Sequence, residues 1–291
     1  MAKKKIMDDE IETTPECCNA DAYSMMRRAK SMMESATSLF QGAIAIATHV
    51  NPETKSEPAR QAVAQLVKRL RARVHGTQPQ AIAAHLHEIL FVEEGFIGNS
   101  QHYHDPANSC LPCVIESKRG LPITLSLLYK IVGEGAGLKI RGIGLPGHFV
   151  VGVETPTGLM VVDPFYEGRV LNRDEMIERS RDTFGGEIEW SEELIHPVSN
   201  RHWLTRIMQN LLHTFSERDR LTDVAAMLEL EVLLRPDQPH LMRDLALVLA
   251  RDGKNVASRC WLQKYLATNA IDEQRKDLED LLGVLSRNTN A

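Results

Sequence analysis

The chain has 291 residues and a mass of 32.7 kDa, room for about two domains. With 43 % hydrophobic and 25 % charged residues it has a globular composition, which argues against wholesale disorder. A net charge of −5 and a pI near 6.1 leave no footprint for bulk nucleic acid, and no apolar run approaches the ~18 residues that a membrane helix needs. Three lysines within Met1–Glu10 have no apolar segment behind them, so no secretory signal is expected there. Five cysteines, an odd number, fit a reducing compartment and a cytoplasmic protein better than a disulfide framework, and no cofactor is expected.

Residues 1–30 show no usable periodicity and are expected to be a flexible tail; the Cys17-Cys18 pair has no further metal ligands near it. Helical periodicity begins after Ser31, where Leu39, Phe40, Ala43, Ile44 and Ala47 recur at three- and four-residue steps until Asn51-Pro52. A second helix follows Ser56, with Val63, Leu66, Val67, Leu70 and Val74 as its stripe. Its Lys68, Arg69, Arg71 and Arg73 are expected to face solvent. A third runs from Pro79 to Gly95, and a short stretch, Leu111 to Glu116, leads to a helix opened by Pro122 and stopped by Gly137.

The period then switches to two. Leu138–Gly144, His148–Glu154, Leu159–Asp163 and Arg169–Leu171 read as strands, with Thr155-Pro156-Thr157-Gly158 as a hairpin turn. The reading is an α+β domain over 31–198, a helical half packed on an antiparallel sheet. From 199 to 291 the chain is helical again. Leu211, Phe215, Leu228 and Leu233 recur thirty-four residues later as Leu245, Leu249, Leu262 and Ala267, the period of tetratricopeptide repeats, and a helix from Glu273 to Leu285 would cap the stack. Trp190, Trp203 and Trp261 read as core anchors.

The chemistry centres on His148 and Asp163. If the hairpin turn is the four residues 155–158, these side chains project from one face of the sheet as diagonal neighbours. An imidazole held by a carboxylate is the orienting half of a nucleophilic triad. Cys110 and Cys113 form a C-x-x-C, the spacing of a dithiol redox pair, but no strand precedes them. Together with His102 and His104 they also give four donors for a tetrahedral zinc site, and the alternative to both is a pair of thiols with no ligand. Thr124 and Ser126 are weak candidates for a hydroxyl nucleophile.

The motifs Tyr103-His104-Asp105-Pro106, Asn108-Ser109, Lys118-Arg119-Gly120-Leu121-Pro122-Ile123, Leu145-Pro146-Gly147-His148-Phe149 and Asp163-Pro164-Phe165 occur in order. This run resembles the bacterial SirB-type family, in which a transglutaminase-like domain of papain-like arrangement precedes C-terminal tetratricopeptide repeats. The resemblance implies a site at His148 and Asp163 bordered by Asn108, Arg119, Gly120, Pro122 and Gly147. Active transglutaminase-like enzymes carry a nucleophilic Cys at the start of the central helix, and alignment on Gly120 and Gly137 puts Pro122 there. The favoured expectation is a non-catalytic binding or regulatory protein. Its site would take a small molecule or peptide, its repeats a protein partner, and no nucleic acid or membrane is expected. The alternative is a cysteine-type hydrolase or acyltransferase in which Cys113 or Cys110 attacks with His148 and Asp163 in support.

Overall fold

A computed structural model describes residues 14–33, 36–53, 55–184, 189–268, 270–271 and 273–288. The chain divides into two units: Met32–Ile207, and Met1–Ser31 together with Met208–Ala291.

In the second unit the expected tail is helical from Ala20. Helix α1 (Ala20–Ser31) buries Ala22, Tyr23, Met26 and Ala29, an i, i+4 pattern hidden in a polar stretch. Residues 1–13 lie outside the described residues.

The first unit holds α2 (Ala36–Val50), α3 (Ser56–Arg73) and α4 (Pro79–His87), the last continuing as a π turn over Glu88–Glu93. The basic face of α3 is not simply solvated. Arg69 and Arg73 pair with Glu93, Arg69 and Lys118 pair with Glu94, and Arg71 donates to the Gly135 carbonyl at 2.6 Å. The π turn supplies these acids, and nothing in α3 itself announces them. A two-residue parallel pair, β1 (Ile97–Gly98) with β2 (Arg119–Gly120), brackets α5 (Leu111–Ser117).

Helix α6 (Pro122–Gly135) is the buried centre of this unit, packed against α3, α4 and the sheet. Pro122 starts it because its missing N–H has no intrahelical partner to lose. Gly137 ends it at φ +96°, a left-handed conformation that a Cβ would oppose.

The sheet comprises β3 (Ile140–Ile143), β4 (Val150–Thr155), β5 (Gly158–Asp163), β6 (Arg169–Leu171) and β7 (Pro197–Val198), in the order β6-β5-β4-β3-β7 and antiparallel throughout. Thr155 pairs with Gly158 and Val151 with Val162, so the hairpin turns at Pro156-Thr157. Helix α7 (Arg173–Phe184) follows β6. The first unit is therefore α+β, with far more helix than strand.

Helix α8 (Asn200–Glu217) contains the boundary between the units. On its first-unit half, Trp203 is buried and donates its indole N–H to the Ile123 carbonyl at 3.2 Å. The second unit continues through α9 (Leu221–Leu234), α10 (Pro239–Arg251), α11 (Asn255–Leu266) and α12 (Arg275–Asn288), each packed on the next. Residues thirty-four apart occupy matching places: Leu211 and Phe215 on α8, Leu245 and Leu249 on α10, Leu228 on α9 and Leu262 on α11 are all buried. Ala267, by contrast, is exposed.

Candidate functional site

His148 precedes β4 instead of lying in it. The turn Leu145-Pro146-Gly147, closed by the His148 N–H to the Leu145 carbonyl at 3.2 Å, delivers it to the start of the central strand β4. The parity of the hairpin then carries its ring onto the face of Asp163. Nε2 of His148 meets Oδ2 of Asp163 at 2.9 Å, and the two side chains are 5 % and 0 % exposed.

Asp163 is held from three directions. Its Oδ1 accepts the Phe165 N–H at 3.1 Å, which caps the turn Pro164–Tyr166, and its Oδ2 lies 3.5 Å from Nε of Arg179 on α7. A buried carboxylate needs this much compensation, because taking it out of water costs several kcal/mol, about as much as a good pair returns. In a neutral imidazole whose Nε2–H donates to the carboxylate, Nδ1 carries the ring's lone pair.

Aromatic rings surround the pair. Phe165 meets His148 edge-on at 6.0 Å, Tyr166 lies 6.2 Å from it, and the Arg179 guanidinium sits 3.6 Å above the Tyr166 ring. Tyr103 packs edge-on against Phe165 at 6.3 Å. The segment carrying Tyr103 is tied down by Asn108, whose amide donates to the carbonyls of His102 and Tyr103 and whose Oδ1 accepts from Asn99.

The expected pocket is thus mostly closed. Asn108, Gly120 and Pro122 are buried, and Arg119 and Gly147 are exposed. Clefts of about 670 Å³ and about 500 Å³ open elsewhere, the first beside Thr14, Lys254 and Trp261, the second beside Asn51, Pro112 and Cys113.

The cysteine readings change most. Cys110 and Cys113 are joined to each other, with Cα atoms 5.2 Å apart, where free thiols were expected. Their spacing makes this natural: Cys110 caps α5, so residue i+3 lies over it within the Cα range of a disulfide. Neither sulfur hydrogen-bonds His148; Cys113 instead lies 3.9 Å from the Asn51 amide. The H-x-H…C-x-x-C zinc set does not assemble among the described residues, since His102 and His104 are exposed and share no common point with the paired sulfurs. Of the two candidate hydroxyls on α6, that of Ser126 donates to the Phe149 carbonyl at 3.4 Å, and that of Thr124 is buried without a hydrogen bond.

The sequence reading missed several groups. Arg179 and Arg206 lie far down the chain on polar helices, with no local signal. His87 on α4, which no motif singles out, hydrogen-bonds the Tyr129 hydroxyl at 2.9 Å, and burial lowers its pKa to about 4. Tyr103 and Phe165 stood in the quoted motifs, so their presence was legible and their role was not.

A layered domain with a helix-packed antiparallel sheet and a buried His–Asp pair at one end of its central strands has the form of a transglutaminase-like protein. Consistently, a family model described as the transglutaminase-like superfamily matches residues 57–209. The chain belongs to that superfamily. A UPF0162 protein of Xylella fastidiosa is 32 % identical over 252 residues, covering 84 % of this chain and 89 % of its own. A UPF0162 protein of Vibrio cholerae is 25 % identical over 214 residues, 72 % of this chain and 78 % of its own. The similarity extends to human F-box only protein 21, 24 % identical over 177 residues, which are 57 % of this chain and 27 % of that protein. Among the described residues no helix is long and apolar enough to cross a membrane.

Proposed function

We propose that this chain is a non-catalytic binding protein of the cytoplasm, SirB-type in organisation. Its His148–Asp163 pair shapes a ligand site, and its tetratricopeptide-like C-terminal helices dock a protein partner. One observation carries the reading. The first residue of the central helix is Pro122, and the two nearby sulfurs bond to each other and not to His148. Nucleophilic catalysis of this type requires a thiolate stabilised by an imidazolium and a helix N-terminus, and a pyrrolidine ring offers no atom for that step. What the pair does instead is structural and directional. It fixes the Pro164–Tyr166 turn, and so the exposed Tyr166, next to Tyr103. Binding then falls to the rim that the pair orients. The thirty-four-residue correspondence of buried positions in α8–α11 supports the repeat reading of the second unit.

The test is site-resolved alkylation of the reduced protein at pH 6, in wild type and His148→Ala. Cys110 and Cys113 are expected to react as slowly as ordinary thiols, with no dependence on His148. Fast alkylation at either position that His148→Ala abolishes would establish a thiolate–imidazolium pair and replace this reading with the cysteine-hydrolase one.

A further inference from the structure

Arg206 on α8 is the one cation beside His148 with no anion to match it among the described residues. Its Nη2 donates to the His148 carbonyl at 3.4 Å, and its guanidinium lies 5.3 Å from the Phe149 ring centre. Several other cations of this unit meet an acid: Arg69, Arg73, Lys118, Arg141 and Arg169 each meet a glutamate, and Arg179 meets Asp163, whereas Arg71 is held by the Gly135 carbonyl. Arg206 is more deeply placed than most of these. Burial lowers its pKa, and the charged neighbour that would raise it is the Tyr103 phenol, not a carboxylate. The fold makes room for this expensive group. Gly144 stands where any Cβ would lie 2.4 Å from Nη1. A half-buried guanidinium held by a backbone carbonyl and an aromatic face, without a counter-ion, is a group whose partial desolvation these contacts only partly offset.

Its surroundings indicate what offsets it. Tyr103 is close enough to both Arg206 and Tyr166 to feel their charges. Tyr103 is half-buried and Tyr166 is 43 % exposed, so a ligand from solvent can reach this rim. Arg179 is already committed to Asp163, which leaves a single uncompensated positive charge. A planar fork of N–H donors with phenolic hydroxyls suits a monoanion that accepts two parallel hydrogen bonds, whereas a phosphate dianion calls for more than one free cation.

We propose that Arg206, with Tyr103 and Tyr166, forms a recognition site for a carboxylate, presented by a small organic acid or by the C-terminus of a peptide. This deepens the ligand-site reading above and rests on it.

The experiment is calorimetric titration of the full chain with four probes: N-acetylglycine, a tetrapeptide with a free C-terminus, the same tetrapeptide as its amide, and inorganic phosphate. Thermal melts of wild type, Arg206→Met and Tyr103→Phe accompany it. The free-acid peptide is expected to bind, the amide and phosphate not, and Arg206→Met to weaken binding by about tenfold or more. Without ligand, Arg206→Met should melt no lower than wild type, because it removes an unmatched buried charge. Equal binding of the small acid and the peptide acid assigns the site to small acids, and tighter peptide binding assigns it to a chain terminus; either supports the proposal.

Three results would overturn it: no carboxylate binding at millimolar concentration, equal affinity for acid and amide, or binding of phosphate alone. If Arg206→Met melts far below wild type or fails to fold, the acid-against-amide comparison on wild type and the Tyr103→Phe titration decide. Failure here leaves the alkylation result standing, and fast His148-dependent alkylation leaves the acid-against-amide comparison readable, so the two readings fail separately.

Discussion

The two units bury acidic groups in opposite ways. In the first, Asp163 is neutralised by side chains, with the His148 imidazole at 2.9 Å and Arg179 at 3.5 Å, and one backbone N–H completes the set. In the second, Glu229 on α9 is satisfied by main chain: it accepts the N–H groups of Glu16, Cys17 and Cys18 at 2.7–3.3 Å, just ahead of α1, which Asn19 caps. No cation meets Glu229 in those contacts, and burial raises its pKa. Its neighbour Glu231 is compensated still less. One of its oxygens has no hydrogen bond, the other lies 3.8 Å from Arg235, and burial lifts its pKa to about 7. A side-chain pair fixes a geometry that a ligand site can use. A cradle of amides fastens a chain segment and carries no chemistry of its own.

Removing the anion should separate the two arrangements most sharply. Asp163→Ala strands the His148 and Arg179 groups in the interior and should cost about 3–5 kcal/mol in urea unfolding. A loss under 1 kcal/mol would mean that the pair is not a structural anchor. In the second unit, Glu229→Ala leaves three N–H donors without their acceptor. It should cost roughly 2–3 kcal/mol, less than Asp163→Ala because the freed amides can reach water. Limited proteolysis should then cut between residues 14 and 31 well before it cuts α9. Unchanged protection there would show that apolar packing of α1, not the amide cradle, holds the segment.

Smaller effects should appear in pH dependence, with opposite signs. Glu231 has its folded pKa raised from 4.5 to about 7, so the folded state holds the extra proton between these values. Its stabilising contribution is full below pH 4.5 and is lost as pH rises to 7. His87 has its folded pKa lowered from 6.5 to about 4, so its contribution is full above pH 6.5 and is lost as pH falls to 4. Melting curves from pH 4 to 8 should therefore show Glu231→Gln gaining on wild type as pH rises and His87→Gln gaining as pH falls, by about 1–3 kcal/mol each. Parallel wild-type and variant curves would place these groups in contact with solvent and dissolve the contrast.

Much of the first unit was legible because its signals are local. Pro122 and Gly137 bound the central helix by φ restriction alone, and the hairpin register follows from a four-residue turn, which fixes the parity of His148 and Asp163. The Cys110–Cys113 pairing was the wrong side of an open question. The same i, i+3 spacing serves a dithiol, a disulfide or a metal pair, and only the cap position of Cys110 on α5 brings the sulfurs together. The tail reading failed from Ala20 onward, since a helix of low mean hydropathy is stabilised by what its four buried side chains touch, and that surface comes from α9, some two hundred residues away.

The sequence by itself determined the central helix from Pro122, the strands of the hairpin and their turn, the boundary between helical and sheet-forming stretches, and the diagonal placement of His148 and Asp163. Each depends on backbone restriction or on periodicity over a few residues. Only the tertiary structure decided which charges meet: Arg179 with Asp163, Glu229 with the amides before α1, Glu93 and Glu94 with α3, and, among the described residues, nothing anionic with Arg206. The physical reason is that charged side chains are long and tolerated on any polar face. Their spacing along the chain is silent about their partners until packing takes them out of water and makes an unmatched charge costly.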